Sequence, residues 1–115
     1  MVKLKIDENV TVKELRRKFK DAIGLSLRVY VGNNAGKGAV KAEETDKLGD
    51  LADEKEIPAN SEFIINPGMT AGDFEKHFQS AYDIAIQVAD ASNKKLMDND
   101  SLLLAPEGLS QQSVY

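Results

Sequence analysis

The chain has 115 residues, 42% of them hydrophobic and 30% charged, with a formal net charge of −4, which describes one domain with enough apolar mass for a core and excludes a disordered or fibrous polymer. It contains no cysteine and a single histidine, which excludes a disulfide framework, thiolate chemistry, a cysteine-based zinc site and a histidine cluster. No apolar run approaches the roughly 20 residues of a membrane helix, so no membrane partner is expected.

The first residues alternate Val2, Leu4 and Ile6 with Lys3 and Lys5. This is a strand pattern rather than a secretory signal, and the cytoplasm is the expected location. Val10-Thr11-Val12-Lys13-Glu14-Leu15 then reads as a helix start: Thr11 caps the first amides, Glu14 reaches back to the cap, and Val10 staples to Leu15. Val12, Leu15, Phe19, Ala22 and Ile23 fall on one face at helical spacing, and Gly24 suits a left-handed stop. On the exposed flank of this helix lie Lys13, Arg16, Arg17 and Lys20. A second strand follows, with Leu25, Leu27, Val29 and Val31 alternating with Ser26, Arg28 and Tyr30.

After a connection rich in glycine and then acid, the pattern starts again. Met69-Thr70-Ala71-Gly72-Asp73-Phe74 matches the first helix start position for position. Ala71, Phe74, Phe78, Ala81 and Tyr82 repeat the apolar face, with Asp83 in the place of Gly24. Phe63 and Ile65 precede this second helix as a strand with Glu62 and Ile64 facing outward, and Ile84, Ile86 and Val88 follow it. The chain is therefore a duplication, with repeat units at about 2–31 and 62–89 and an acidic connection at 33–60, in which Leu48 and Leu51 pin the chain to the core edge. A single α+β domain over 1–109 and a flexible tail at 110–115 complete the expectation. Two βαβ units predict a ferredoxin-like βαββαβ sandwich, one antiparallel sheet with both helices on one face; the alternative is a variant of the ubiquitin-like β-grasp, suggested by the capped turn at Thr45–Leu51.

The core Thr11-Val12-Lys13-Glu14-Leu15, Phe19, Gly24-Leu25-Ser26-Leu27-Arg28-Val29-Tyr30-Val31-Gly32 resembles a set of short, uncharacterised bacterial proteins. These share a "TV..L...F....GL.LRVY.G" unit and a shorter second copy, and some carry the label viral A-type inclusion protein. The resemblance spans most of the chain, departs from it at the longer Gly36–Asn60 connection, and implies no catalytic residues.

Four chemical candidates fail on the features that carry their mechanisms. Gly32–Gly38 lacks the spacing and the hydroxyl of a phosphate loop. Asp73, His77 and Ser80 share an outward helix face instead of converging on a shielded pocket. Asp98-Asn99-Asp100 begins like a calcium loop but has Leu103 and Leu109 where glycine and glutamate are required. The pairs Glu43-Glu44 and Asp53-Glu54 sit in a solvated connection that gives no reason for a raised pKa. Neither an enzyme, nor a cofactor, nor a metal is expected. Residues 1–41 carry ten basic groups against four acidic, and the remainder five against fifteen, an asymmetry that fits two halves neutralising each other or a surface for an acidic partner.

The leading expectation is a non-catalytic protein-interaction module, self-associating through an open sheet face that carries Lys3, Lys5, Arg28, Tyr30 and Ile64. The second is polyanion or nucleic-acid binding through Arg16, Arg17 and Lys20 with Arg28, although the aromatic signature of RNA-binding sandwiches is absent from the third strand. A small enzyme is the third.

Overall fold

A computed structural model describes residues 1–52, 56–104 and 113–115. The elements in chain order are β1 (Val2–Ile6), α1 (Val12–Ile23), β2 (Ser26–Val29), the single turn α2 (Leu48–Leu51), β3 (Ser61–Ile65), α3 (Ala71–Tyr82), β4 (Ile86–Ala89) and β5 (Ser113–Val114). The α+β class and the duplicated βαβ order are those the sequence predicts, consistent with a ferredoxin-like arrangement.

Both helices begin as their caps require. Thr11 Oγ1 accepts the Glu14 N–H at 3.2 Å and Thr70 Oγ1 accepts the Asp73 N–H at 3.1 Å. The reciprocal half of the box closes only in the second copy, where the Thr70 N–H donates to Asp73 Oδ2 at 3.3 Å; in the first, Glu14 instead takes the Thr11 hydroxyl. The stops also match: Gly24 and Asp83 are both left-handed, at φ 84° and 57°.

The strand layer departs from the single sheet expected. β1 pairs antiparallel with β3, and β2 pairs antiparallel with β4, in separate sheets. The reason lies in the backbone donors and acceptors. The outer edge of β2 is taken by its own unit, where the Ala42 N–H reaches the Val29 carbonyl at 2.9 Å and the Val31 N–H reaches that of Val40 at 2.8 Å. The outer edge of β4 is taken likewise, by Met97 N–H to Val88 carbonyl at 2.9 Å and Asp90 N–H to Lys95 carbonyl at 2.8 Å. With both edges occupied, neither strand has a row of groups left to join β1 or β3.

These bonds extend the repeat beyond its sequence-visible limits. The segment 44–48 crosses the start of α1, with Val12 N–H to Asp46 carbonyl, Lys13 N–H to Glu44 carbonyl and Leu48 N–H to Val10 carbonyl. The segment 99–103 crosses the start of α3 in the same way, with Ala71 to Ser101, Gly72 to Asn99 and Leu103 to Met69. Between the shared features the second copy is four residues shorter, the shortening falling in the loop after the strand. Leu48 and Leu51 are buried, as expected, and so is Leu103.

In the core, Phe19 of α1 stacks on Phe74 of α3 with centroids 5.1 Å apart, and Phe63 of β3 meets Phe74 edge-on at 5.3 Å. Leu4, Ile6, Leu15, Leu27, Ile65, Phe78, Ile84 and Val88 are fully or almost fully buried around them. Two apolar positions leave it: Ala81 is exposed, and Val31, 48% exposed, lies past the end of β2. The terminal residues differ from a fraying tail. Ser113 and Val114 run parallel to β1, and Tyr115 is partly buried against the core. Residues 110–112 lie outside the described residues, as do Leu109, Asp53 and Glu54.

Candidate functional site

Alternation along β1 and β3 turns Val2, Leu4, Ile6, Phe63 and Ile65 inward and leaves Lys3, Lys5, Glu62 and Ile64 on the outer face. Across the pair, Lys3 stands opposite Ile64 and Lys5 opposite Glu62. The backbone of this sheet shows which edge is open. The Lys5 N–H donates to the Tyr115 carbonyl at 2.6 Å, and the Tyr115 N–H to the Lys3 carbonyl at 2.7 Å. Lys3 and Lys5 therefore point their main-chain groups at β5, so Val2, Leu4 and Ile6 point theirs at β3, to Ile65, Phe63 and Ser61. What remains is the far side of β3. The N–H and C=O groups of Glu62 and Ile64 face outward and have no hydrogen-bond partner among the described residues. Ile64 itself is 41% exposed. A groove of about 540 Å³, lined by Lys5, Ile6, Asp7, Asn60, Ser61 and Glu62, runs at one end of this strand pair.

Arg28 and Tyr30 do not share that face. They belong to the other sheet, because β2 pairs with β4 and not with β3. Tyr30 is 6% exposed, and its hydroxyl donates to Gln87 Oε1 at 2.5 Å. Arg28 Nε donates to Asn93 Oδ1 at 2.8 Å, and a terminal nitrogen reaches the Asn93 carbonyl at 3.2 Å. Ala85 and Ala89, on the same side of β4, are buried as well. The expected open face of Lys3, Lys5, Arg28, Tyr30 and Ile64 is thus divided: Lys3, Lys5 and Ile64 are brought together, and Tyr30 is withdrawn from solvent.

The basic flank of α1 is also divided. Arg16 pairs with Glu44 of the acidic connection at 2.9 Å. Lys20 Nζ donates to the Ala91 carbonyl at 2.6 Å and Lys18 Nζ to the Lys5 carbonyl at 3.1 Å, while Arg17 is exposed.

Compared with known proteins, the chain matches no family model, no curated protein and no solved structure. Its chemistry rests on its own side chains.

Among these, Asp73 is committed to the helix cap, and the amide and hydroxyl of Thr70 hold its carboxyl below the ordinary value. His77 and Ser80, further along the same helix, are exposed. Asn99 supplies the carbonyl that caps Gly72, and Glu44 the one that receives the Lys13 N–H, so both acidic segments act as braces for helix starts. Among the described residues there is no group of three His, Asp or Glu side chains able to hold a metal, and no helix is long and apolar enough to cross a membrane. One carboxylate stands out that sequence reasoning passed over. Glu75, half-buried, turns from α3 to accept the Val88 N–H at 2.9 Å, and burial pushes its pKa up against the opposing effect of that hydrogen bond. The signal was present in the repeat: the matching position of the first helix is Arg16.

Proposed function

We propose that this chain is a non-catalytic protein-interaction module that self-associates by pairing β3 with β3 of a second copy. The observation that carries the reading is the outer edge of β3, where the four main-chain groups of Glu62 and Ile64 face outward with no partner among the described residues, beside an exposed isoleucine. A bare edge of this kind is a template for another strand. The sequence of the strand favours its own copy. An antiparallel two-fold register centred on Ile64 sets Ile64 against Ile64 and Glu62 against Asn66 of the second copy, whereas centring on Glu62 would oppose two like charges. Arg16, paired with Glu44, and Lys20, held by the Ala91 carbonyl, leave no continuous polyanion-binding stripe along α1.

Sedimentation across a wide protein concentration range tests this. The parent chain is expected to show a concentration-dependent dimer that persists at high salt. Ile64→Lys is expected to remain monomeric while its stability stays within about 0.5 kcal/mol of the parent, as befits a surface position. A parent chain that is monomeric throughout, or a lysine variant that still dimerises, refutes the edge assignment. Dimerisation abolished by salt would move the contact to the charged flank.

A further inference from the structure

The two units differ at one equivalent site in a way that leaves the first of them incomplete. In the second unit, Glu75 Oε2 accepts the Val88 N–H while the Val88 carbonyl receives the Met97 N–H, each at 2.9 Å. In the first unit the Val29 carbonyl receives the Ala42 N–H at 2.9 Å in the same manner, but Arg16 stands where Glu75 stands. An arginine has no acceptor to offer. The N–H of Val29, a residue 3% exposed, therefore has no acceptor among the described residues. Buried main-chain donors are rarely left so.

Val29 borders a cavity of about 60 Å³, walled by Val12, Leu27 and Ala42 and rimmed by Arg16, Arg28 and Lys41. That volume holds roughly two waters, or one small planar anion. The three rim cations are all particular to this unit. Their counterparts in the second unit are Glu75, Gln87 and Leu96, none of them positive. Positive charge is thus concentrated where the built-in carboxylate is missing. Among the described residues that charge is largely unspent: Arg28 is held by the neutral Asn93, Lys41 is exposed, and only Arg16 meets an acid, through one nitrogen to the mostly exposed Glu44.

We propose that the first unit binds a carboxylate from outside the chain, seated on the Val29 N–H between Arg16, Arg28 and Lys41. It occupies the place that Glu75 fills in the second unit. The two-oxygen group suits guanidinium partners, and the small cavity admits the carboxylate itself and leaves whatever bears it outside. The carrier is either a small free acid or a glutamate or aspartate side chain of another protein. The site lies on the β2–β4 sheet and does not depend on the β3 edge.

The test is a ¹⁵N–¹H NMR titration of the full chain with sodium acetate, against sodium chloride at matched ionic strength. Acetate is expected to move the Val29 amide proton downfield and saturably, together with the Nε–H signal of Arg16, while the Nε–H of Arg28, already donated to Asn93, should shift little. The Val88 amide, whose acceptor is internal, should stay in place. Lys41→Leu, at an exposed position, should weaken acetate binding several-fold without altering the fold. Arg16→Glu should abolish the response by supplying the acceptor in the chain, with the Val29 amide already downfield. A blocked Ala-Glu-Ala tripeptide, titrated in parallel, separates the sources: saturation at lower concentration than acetate assigns the carboxylate to a protein side chain, and the reverse assigns it to a small acid. A Val29 amide unmoved by either probe, or moving equally with chloride or in step with Val88, overturns the proposal.

Discussion

Positions 16 and 75 occupy equivalent turns of equivalent helices, yet one carries a cation at a half-exposed ion pair and the other a half-buried carboxylate under a strand. Glu75 serves two opposing ends there. Its oxygen satisfies a main-chain donor, while its charge is poorly solvated, and burial, the dominant influence, raises its pKa. Glu75→Ala removes the acceptor and is expected to cost about 1–3 kcal/mol, the usual penalty for a stranded buried donor. Glu75→Gln keeps an amide oxygen for Val88 and removes the charge, so it is expected to be at least as stable as the parent near pH 7. The sign follows from the direction of the shift. A carboxyl whose folded pKa is raised destabilises the native state once it ionises, so the parent loses stability as pH rises from the unfolded value near 4.3 through the folded one. The advantage of glutamine should therefore vanish below about pH 4. Urea unfolding of both chains at pH 7 and in acid reads this directly, and a glutamine advantage that grows in acid would contradict the assigned shift.

Among the elements, the two crossings over the helix starts are the least obvious and the most exacting. Gly49 donates to the Glu8 carbonyl at 3.0 Å, and a Cβ added there would lie 2.7 Å from Glu8 Cβ and 3.0 Å from its carbonyl oxygen. Neither neighbour is the end of a flexible side chain. Gly49→Ala should therefore cost about 1–3 kcal/mol through enforced displacement of the crossing. Gly72, at the crossing over the start of α3, would place its Cβ 3.1 Å from Asn99; with the roughly 1 kcal/mol that alanine gains over glycine inside a helix, its substitution should be close to neutral. Denaturation midpoints of the two variants distinguish the cases, and equal midpoints would show that the Glu8 contact yields. These crossings also mark the limit of what local pattern reveals. The helices, their caps and the strands β1 to β4 follow from periods of 3.6 and 2 and from Thr11 and Thr70, because those signals lie within one element. The crossings, the β2–β4 pairing and the parallel β5 are pairings between remote segments, carried by main-chain groups that every residue possesses. For the same reason Lys3, Lys5 and Ile64 could be placed outward from sequence, but the assignment of Arg28 and Tyr30 to another sheet could not, since inward and outward are fixed by alternation while sheet membership is fixed by partner strands.

At the scale of the molecule, the two units form one body related by an approximate two-fold axis. Leu4 pairs with Phe63 and Arg28 with Gln87, and in each pair the two residues hold the same position in their units, so the axis passes through both sheets. Neither unit closes a core alone. β1 is completed by β3 of the other unit and β2 by β4, while the Phe19–Phe74 stack joins one helix from each at 5.1 Å. Truncating either ring should accordingly cost about 3–5 kcal/mol. More telling is the double variant. Because the rings touch, Phe19→Ala and Phe74→Ala should fall short of additivity by about 0.5–1.5 kcal/mol, the range for aromatic pairs in contact. Each single variant should also unfold in one transition, with amides of α1 and α3 losing hydrogen-exchange protection together, since the damaged layer belongs to both. Additive losses, or one helix outlasting the other, would mean that the units are two domains that merely abut. The shared sheets make that outcome incompatible with the pairing of β1 with β3, because opening one unit strips β1 or β3, and β2 or β4, of its partner strand.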